Sequence, residues 1–195
     1  MFRVLLVAVD VIPEAVVLVP LFGILYVMVY GRNIWKSVMH CLFCLYLAAV
    51  FSLVGIPNVR YIQPGLNLNL IPFAGMIEDL KNCILNVMLF IPLGIFLPLL
   101  WQRFRSAGFC VVFGFGMSFI IELLQMLTFR ATDVNDLITN TCGTLFGYLL
   151  VTPLLKKVSP VDKGRYAPYV LCILSFCVMF FIHPFLSPLI WDSLL

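Results

Sequence analysis

The chain has 195 residues, of which 63% are hydrophobic and 11% charged, with a mean hydropathy of +1.11. A soluble domain carries roughly 25% charged and 45–50% apolar residues, so a water-soluble enzyme and a disordered chain are both excluded. The net charge of +3 is small and dispersed, and no Lys/Arg run forms a patch, so nucleic acid is not an expected partner.

A spanning helix needs about 20 predominantly apolar residues. Six runs qualify: 4–30, 35–56, 83–101, 108–129, 137–155 and 166–190. The expected fold is all-α, a polytopic transmembrane helical bundle of about six spans. The first run is too long for a secretory h-region, carries Asp10 and Glu14, and lacks a small-x-small cleavage site, so it reads as a retained span. Pro13 between the two acids kinks or locally unwinds that helix. Asp10 and Glu14 either join the polar cluster described below or sit at the interface. In the second run, Cys41-Leu42-Phe43-Cys44 has C-x-x-C spacing but lies among Leu and Phe, so it reads as packing. Seven cysteines, most of them in apolar runs, imply no disulfide framework.

The connection 57–82 is the one long loop. It is rich in turn formers (Pro57-Asn58, Gln63-Pro64-Gly65, Ile71-Pro72) and also apolar, with Tyr61, Ile62, Leu66, Leu68, Leu70, Ile71 and Phe73. Such a loop is expected to lie in the membrane interface or to pack on the bundle.

The next three runs carry the polar residues. Asn82 and Asn86 share a face of the third run, followed by Pro92 and Gly94. In the fourth, Gly114, Ser118, Glu122 and Gln125 share one helical face. In the fifth, Asp136, Asn140, Gly143 and Gly147 do the same, and Gly143-x-x-x-Gly147 admits a close neighbour, expected to be the fourth run. The third and fifth runs start on the side where the fourth ends. Asn86, Glu122, Gln125, Asp136 and Asn140 therefore share a level, with Arg130 and Asp133 in the turn above them.

Polar side chains in a bilayer are costly and need a partner or a role. One reading is a polar pocket built from three helices. A structural reading pairs Glu122 with Arg130, uses Asn86 and Asn140 as interhelical hydrogen bonds, and has Asp136 cap the fifth helix. In a third reading Glu122, Asp133 and Asp136 hold a hard cation. No spacing here is diagnostic of metal and no histidine joins in, so no metal or cofactor is expected. Glu122 should reach at least one of Arg130, Gln125, Asp136 or Asn140.

Lys/Arg counts orient the chain. Eight (Arg32, Lys36, Arg103, Arg105, Lys156, Lys157, Lys163, Arg165) fall on one side and four (Arg3, Arg60, Lys81, Arg130) on the other. The first side is expected to be cytoplasmic, which places the polar cluster on the extracytoplasmic side.

These residues carry a resemblance. Asn69-Leu70-Ile71-Pro72-Phe73 resembles the N-L-x-P-F element of the VanZ-like family, and Asn86 to Gly94 its N-x-x-x-F-x-P-x-G element. Glu122-Leu123-Leu124-Gln125 matches its E-x-x-Q. Arg130, Asp133, Asp136, Asn140, Thr141, Gly143 and Gly147 match its R-x-x-D-x-x-D-x-x-x-N-T-x-G-x-x-x-G. The resemblance implies a small multi-pass protein of the bacterial cell membrane, in a family named for a member associated with resistance to the glycopeptide teicoplanin. It divides the chain into an N-terminal hairpin, 1–56, whose first span is additional to the family core; the core with its outer loop and three spans, 57–165; and a last span, 166–195.

The expected function is therefore binding in the cell envelope. Asn69, Phe73, Asn86, Glu122, Gln125, Arg130, Asp133, Asp136 and Asn140 are the candidate binding residues. The expected partners are membrane lipid and a lipid-linked cell-wall precursor, another amphiphile or a glycopeptide. Two alternatives stand beside it. One is an intramembrane enzyme with Glu122 or Asp136 as general acid/base, for which no nucleophile is evident. The other is a small transporter, for which Pro92-Leu93-Gly94 is a helix break but no internal repeat is found.

Overall fold

The structure, a computed structural model, describes residues 20, 34–65, 68–128, 132–162, 164, 166–186 and 188. The first apolar run, with Asp10 and Glu14, lies outside the described residues except for position 20, and so does Arg130. Five described helices are long and apolar enough to cross a membrane, and they coincide with the other five runs. The protein is an all-α, multi-pass membrane protein. The helices are α1 (Ile34–Val54), α2 (Leu80–Leu100), α3 (Ala107–Gln125), α4 (Val134–Leu155) and α5 (Ala167–Cys177), the last continued by a π turn at Val178–Ile182. Two short strands, β1 (Leu68–Asn69) and β2 (Thr132–Asp133), join loops rather than form a layer.

The chain divides into two compact units, one from Met1–Ile62 with Tyr166–Leu195 and one from Gln63–Arg165. In the first, the buried stripe of α1 runs through His40, Phe43, Cys44, Leu47 and Phe51 at helical spacing, and Phe51 meets the edge of Phe176. The buried His40 is tied by Nδ1 to the Lys36 carbonyl at 2.8 Å, a bond within its own helix. Val59 donates its N–H to Phe180 O in the π turn, and the Arg60 guanidinium donates to Pro184 O.

In the second unit α2 and α4 run parallel, with α3 returning between them in sequence. Their seam is made by glycine. A Cβ on Gly143 would overlap Val87 O, one on Gly147 would overlap Ile91 O, and one on Gly94 would overlap Thr144 O. Backbone therefore lies on backbone, which in lipid is how van der Waals contact between helices is maximised. Gly143 and Gly147 were expected against the fourth run; they face α2 instead. The contact that α3 makes with α4 is a different one, Gly114 against the Thr144 side chain.

The helices also settle their own polar groups, as an apolar solvent requires. Thr139, Thr141, Thr144 and Thr152 on α4 each donate a hydroxyl to the carbonyl four residues back. Pro98 has no N–H for Gly94 O, and the Cys110 thiol approaches that carbonyl at 4.0 Å. At the ends of α2 and α4, Arg105 gathers free carbonyls: Nε to Pro98 O at 3.4 Å, one terminal nitrogen to Leu155 O at 3.1 Å, and the other to Val158 O. A planar cation at two helix C-termini suits both the geometry and the dipoles.

Candidate functional site

The opposite end of this unit holds the starts of α2 and α4, the end of α3, and the loops between them. The two loops are stitched together. Gln63 donates to Leu127 O at 2.8 Å and Gly65 to Met126 O at 2.9 Å. β1 then pairs in parallel with β2, Leu68 opposite Thr132 and Asn69 opposite Asp133. Backbone that cannot be helical thus finds donors and acceptors inside the protein.

Side chains reinforce the stitching. Asp133, with extended backbone (φ −120, ψ 123), caps α4 by accepting from Asn135 N at 2.8 Å. Its other oxygen accepts from Asn69 Nδ2 at 3.1 Å. Its own N–H donates to Glu122 Oε2 at 3.0 Å, and the Thr132 hydroxyl donates to the Glu122 carbonyl at 3.1 Å. Asp136 was considered as the cap of this helix; Asp133 fills that position, and Asp136 sits half-buried in the first turn.

Asn135 closes the arrangement. Its Oδ1 accepts from Phe73 N at 2.7 Å and its Nδ2 donates to Ala74 O at 2.8 Å, so one amide pairs with the 73–74 backbone as a strand would. Phe73 has φ 65, a conformation a bulky L-residue adopts only when its surroundings hold it. Its ring is exposed; its role in the cluster is carried by its backbone.

One turn deeper, Asn140 donates from Nδ2 to Ser118 Oγ at 2.9 Å, linking α4 to α3. Its Oδ1 is buried and accepts no hydrogen bond from the described residues. Asn86 is half-buried on the inward stripe of α2, between Cys83 and Phe90, and makes no hydrogen bond with any described residue. Because α2 and α4 run parallel with Val87 against Gly143, Asn86 and Asn140 differ in depth by only about 3 Å at 1.5 Å per residue.

The structure thus brings Asn69, Glu122 and Asp133 into one network, with Asn140 just beneath. Gln125 is buried on the same face of α3 as Glu122. Glu122 was expected to reach Arg130, Gln125, Asp136 or Asn140; the backbone N–H of Asp133 is a partner that expectation did not contain. Sequence reasoning also missed Thr132 and Asn135. Asn135 had a signal: the four-residue spacing of Gly143 and Gly147 runs back through Thr139 to Asn135, and the structure buries that whole row of α4. Among the described residues no group of three or more His, Cys, Asp or Glu has an arrangement that would hold a metal ion.

A profile of the VanZ/LLP1 family matches residues 43–156, more than half of the chain. Over 87 residues the chain is 37% identical to Protein VanZ of Enterococcus faecium; the match covers 43% of this chain and 52% of that protein, so the chain spans about half the length of this relative. No solved structure matches the chain. The matched region contains the glycine seam and the whole polar cluster, and the chain belongs to the VanZ/LLP1 family.

Proposed function

We propose that this protein acts in the bacterial cell envelope by binding an amphiphilic or lipid-linked component at the polar cluster, on the extracytoplasmic side, and that this binding links it to teicoplanin resistance. The observation that carries the reading is the pair of amides at one depth, Asn86 and Asn140. Both keep hydrogen-bonding capacity that no described residue meets. Within a membrane such capacity is expensive unless something polar uses it. Asn69, Glu122, Asp133 and Asn135 are engaged in holding the loops, so the two amides beneath them are offered to a ligand's polar head. The loop that Asn135 holds above them exposes apolar residues, Leu70, Ile71 and Phe73, which suit a ligand that arrives from the lipid. The eight-to-four Lys/Arg asymmetry supports the orientation.

The test uses teicoplanin susceptibility of bacteria expressing the protein. Asn86→Ala breaks no hydrogen bond with the described residues, so it should stay abundant in the membrane and lose most of any protection that the wild type gives. A cysteine at Lys157 should resist an impermeant thiol reagent added outside. Protection retained in full by Asn86→Ala would overturn the binding site, and labelling at position 157 would overturn the orientation.

A further inference from the structure

We infer that residues 70–77 form an interfacial membrane anchor whose apolar side chains insert among the lipid acyl chains at the near boundary of the bilayer. Leu70, Ile71, Phe73 and Ile77 are exposed, Ile77 to 88%. In water that display of large apolar side chains on one short segment is unfavourable. Three further observations name lipid as what covers it.

The first is continuity. The exposed series passes directly into Leu80, Ile84, Leu85 and Met88 on the outer face of α2. That face belongs to a membrane span and must meet lipid. The second is depth. The 21 residues of α2 rise about 31 Å, which matches a hydrocarbon core of about 30 Å. Leu80 then lies at one boundary of the core, and the segment just before it lies at the headgroup–acyl level. Exposed Glu78, Asp79 and Lys81 stand at the same level and keep the anchor shallow.

The third is the backbone. Non-helical chain is tolerated at membrane depth only where its polar groups are met by protein. Here Phe73 N and Ala74 O are taken by Asn135, Ala74 N by Ile71 O, Met76 N by Phe73 O, and Asp79 N by Gly75 O. Polar groups turn toward the protein and apolar side chains away from it, the reverse of a loop built for water. The inference does not depend on a ligand at the polar cluster, and its test contains none.

The experiment places a tryptophan on the segment, Ile77→Trp, in a Trp35→Phe, Trp191→Phe background that keeps the buried Trp101. The purified protein is reconstituted into phosphatidylcholine–phosphatidylglycerol vesicles, with and without bromine on the acyl carbons nearest the headgroup. The added emission should be blue-shifted, should fall by about half with the brominated lipid, and should resist acrylamide. Red-shifted emission quenched by acrylamide places the segment in water and overturns the inference. Emission that neither agent quenches means that protein covers it, which also overturns it. If Ile77→Trp does not accumulate, Leu70→Trp reads the same surface.

Discussion

The α2–α4 seam and the loop cluster above it fix α4 by opposite means, the seam against α2 and the cluster against α3 and the loop at 69–74. In the seam, Gly94, Gly143 and Gly147 set backbone against backbone, and no side chain stands between them to adjust. In the cluster, Asn69, Glu122, Asp133 and Asn135 reach across to backbone or to one another, and every link is a single hydrogen bond between named atoms. The seam is sensitive to volume and indifferent to polarity. The cluster is sensitive to the loss of one donor or acceptor. A membrane helix pair needs both, since close packing positions the helices but cannot satisfy the loops that join them.

The largest effect should come from the seam. In Gly147→Ala the added methyl meets Ile91 O and lies close to Gly94 Cα, so the helices must separate. Overpacking that shifts backbone costs about 1–3 kcal/mol and occasionally more, and contact with backbone atoms puts this site at the upper end. The thermal midpoint in detergent should fall sharply, with less protein in the membrane. Gly116→Ala is the matched control, because nothing lies within 4 Å of a Cβ there. Equal stability of the two variants would break the contrast between seam and surface.

A smaller, local effect is expected in the cluster. Asn135→Ala leaves Phe73 N and Ala74 O without their partner, at a cost of about 2 kcal/mol. Hydrogen exchange at the Phe73 amide should rise well above that in the helices. Asn135→Asp keeps the acceptor for Phe73 N and loses the donor to Ala74 O, so its exchange should fall between the two. Unchanged protection of Phe73 in Asn135→Ala would show that the loop is held by something else.

The two regions also differ in how far the sequence disclosed them. Hydropathy located the described spans because lipid demands apolar runs of a fixed length. The glycines announced a close contact but not its partner: α2 and α3 both carry small residues, and periodicity along α4 does not say which helix lies on which side. The cluster was legible as a common depth, since helix ends that alternate across a membrane bring their residues to one level. Its actual links were not. Asn69 and Asp133 are 64 residues apart, and Asn135 and Phe73 are 62 apart. No helical or strand period relates such positions. Asn135 and Asp136 are adjacent polar residues in the first turn of α4, and nothing in the sequence says which of them faces the loop at 73–74.

The smallest effect on stability, and the most informative on function, is expected at Glu122. The residue is only 4% exposed and accepts the Asp133 N–H through Oε2. Glutamine keeps an oxygen at that place and nearly the same volume, so the β2 turn should stay attached and stability should change by less than about 1 kcal/mol. Alanine leaves a buried N–H unmet and should cost about 1–3 kcal/mol. If the carboxylate serves to hold the turn while the amides meet the ligand, Glu122→Gln should keep its membrane abundance and whatever teicoplanin protection the wild type gives. Acid/base catalysis requires a group that exchanges a proton near neutral pH, and an amide does not. A folded, abundant Glu122→Gln protein without protection would therefore move the chemistry from the amides to the carboxylate, and would make the cluster a reaction centre rather than a clasp.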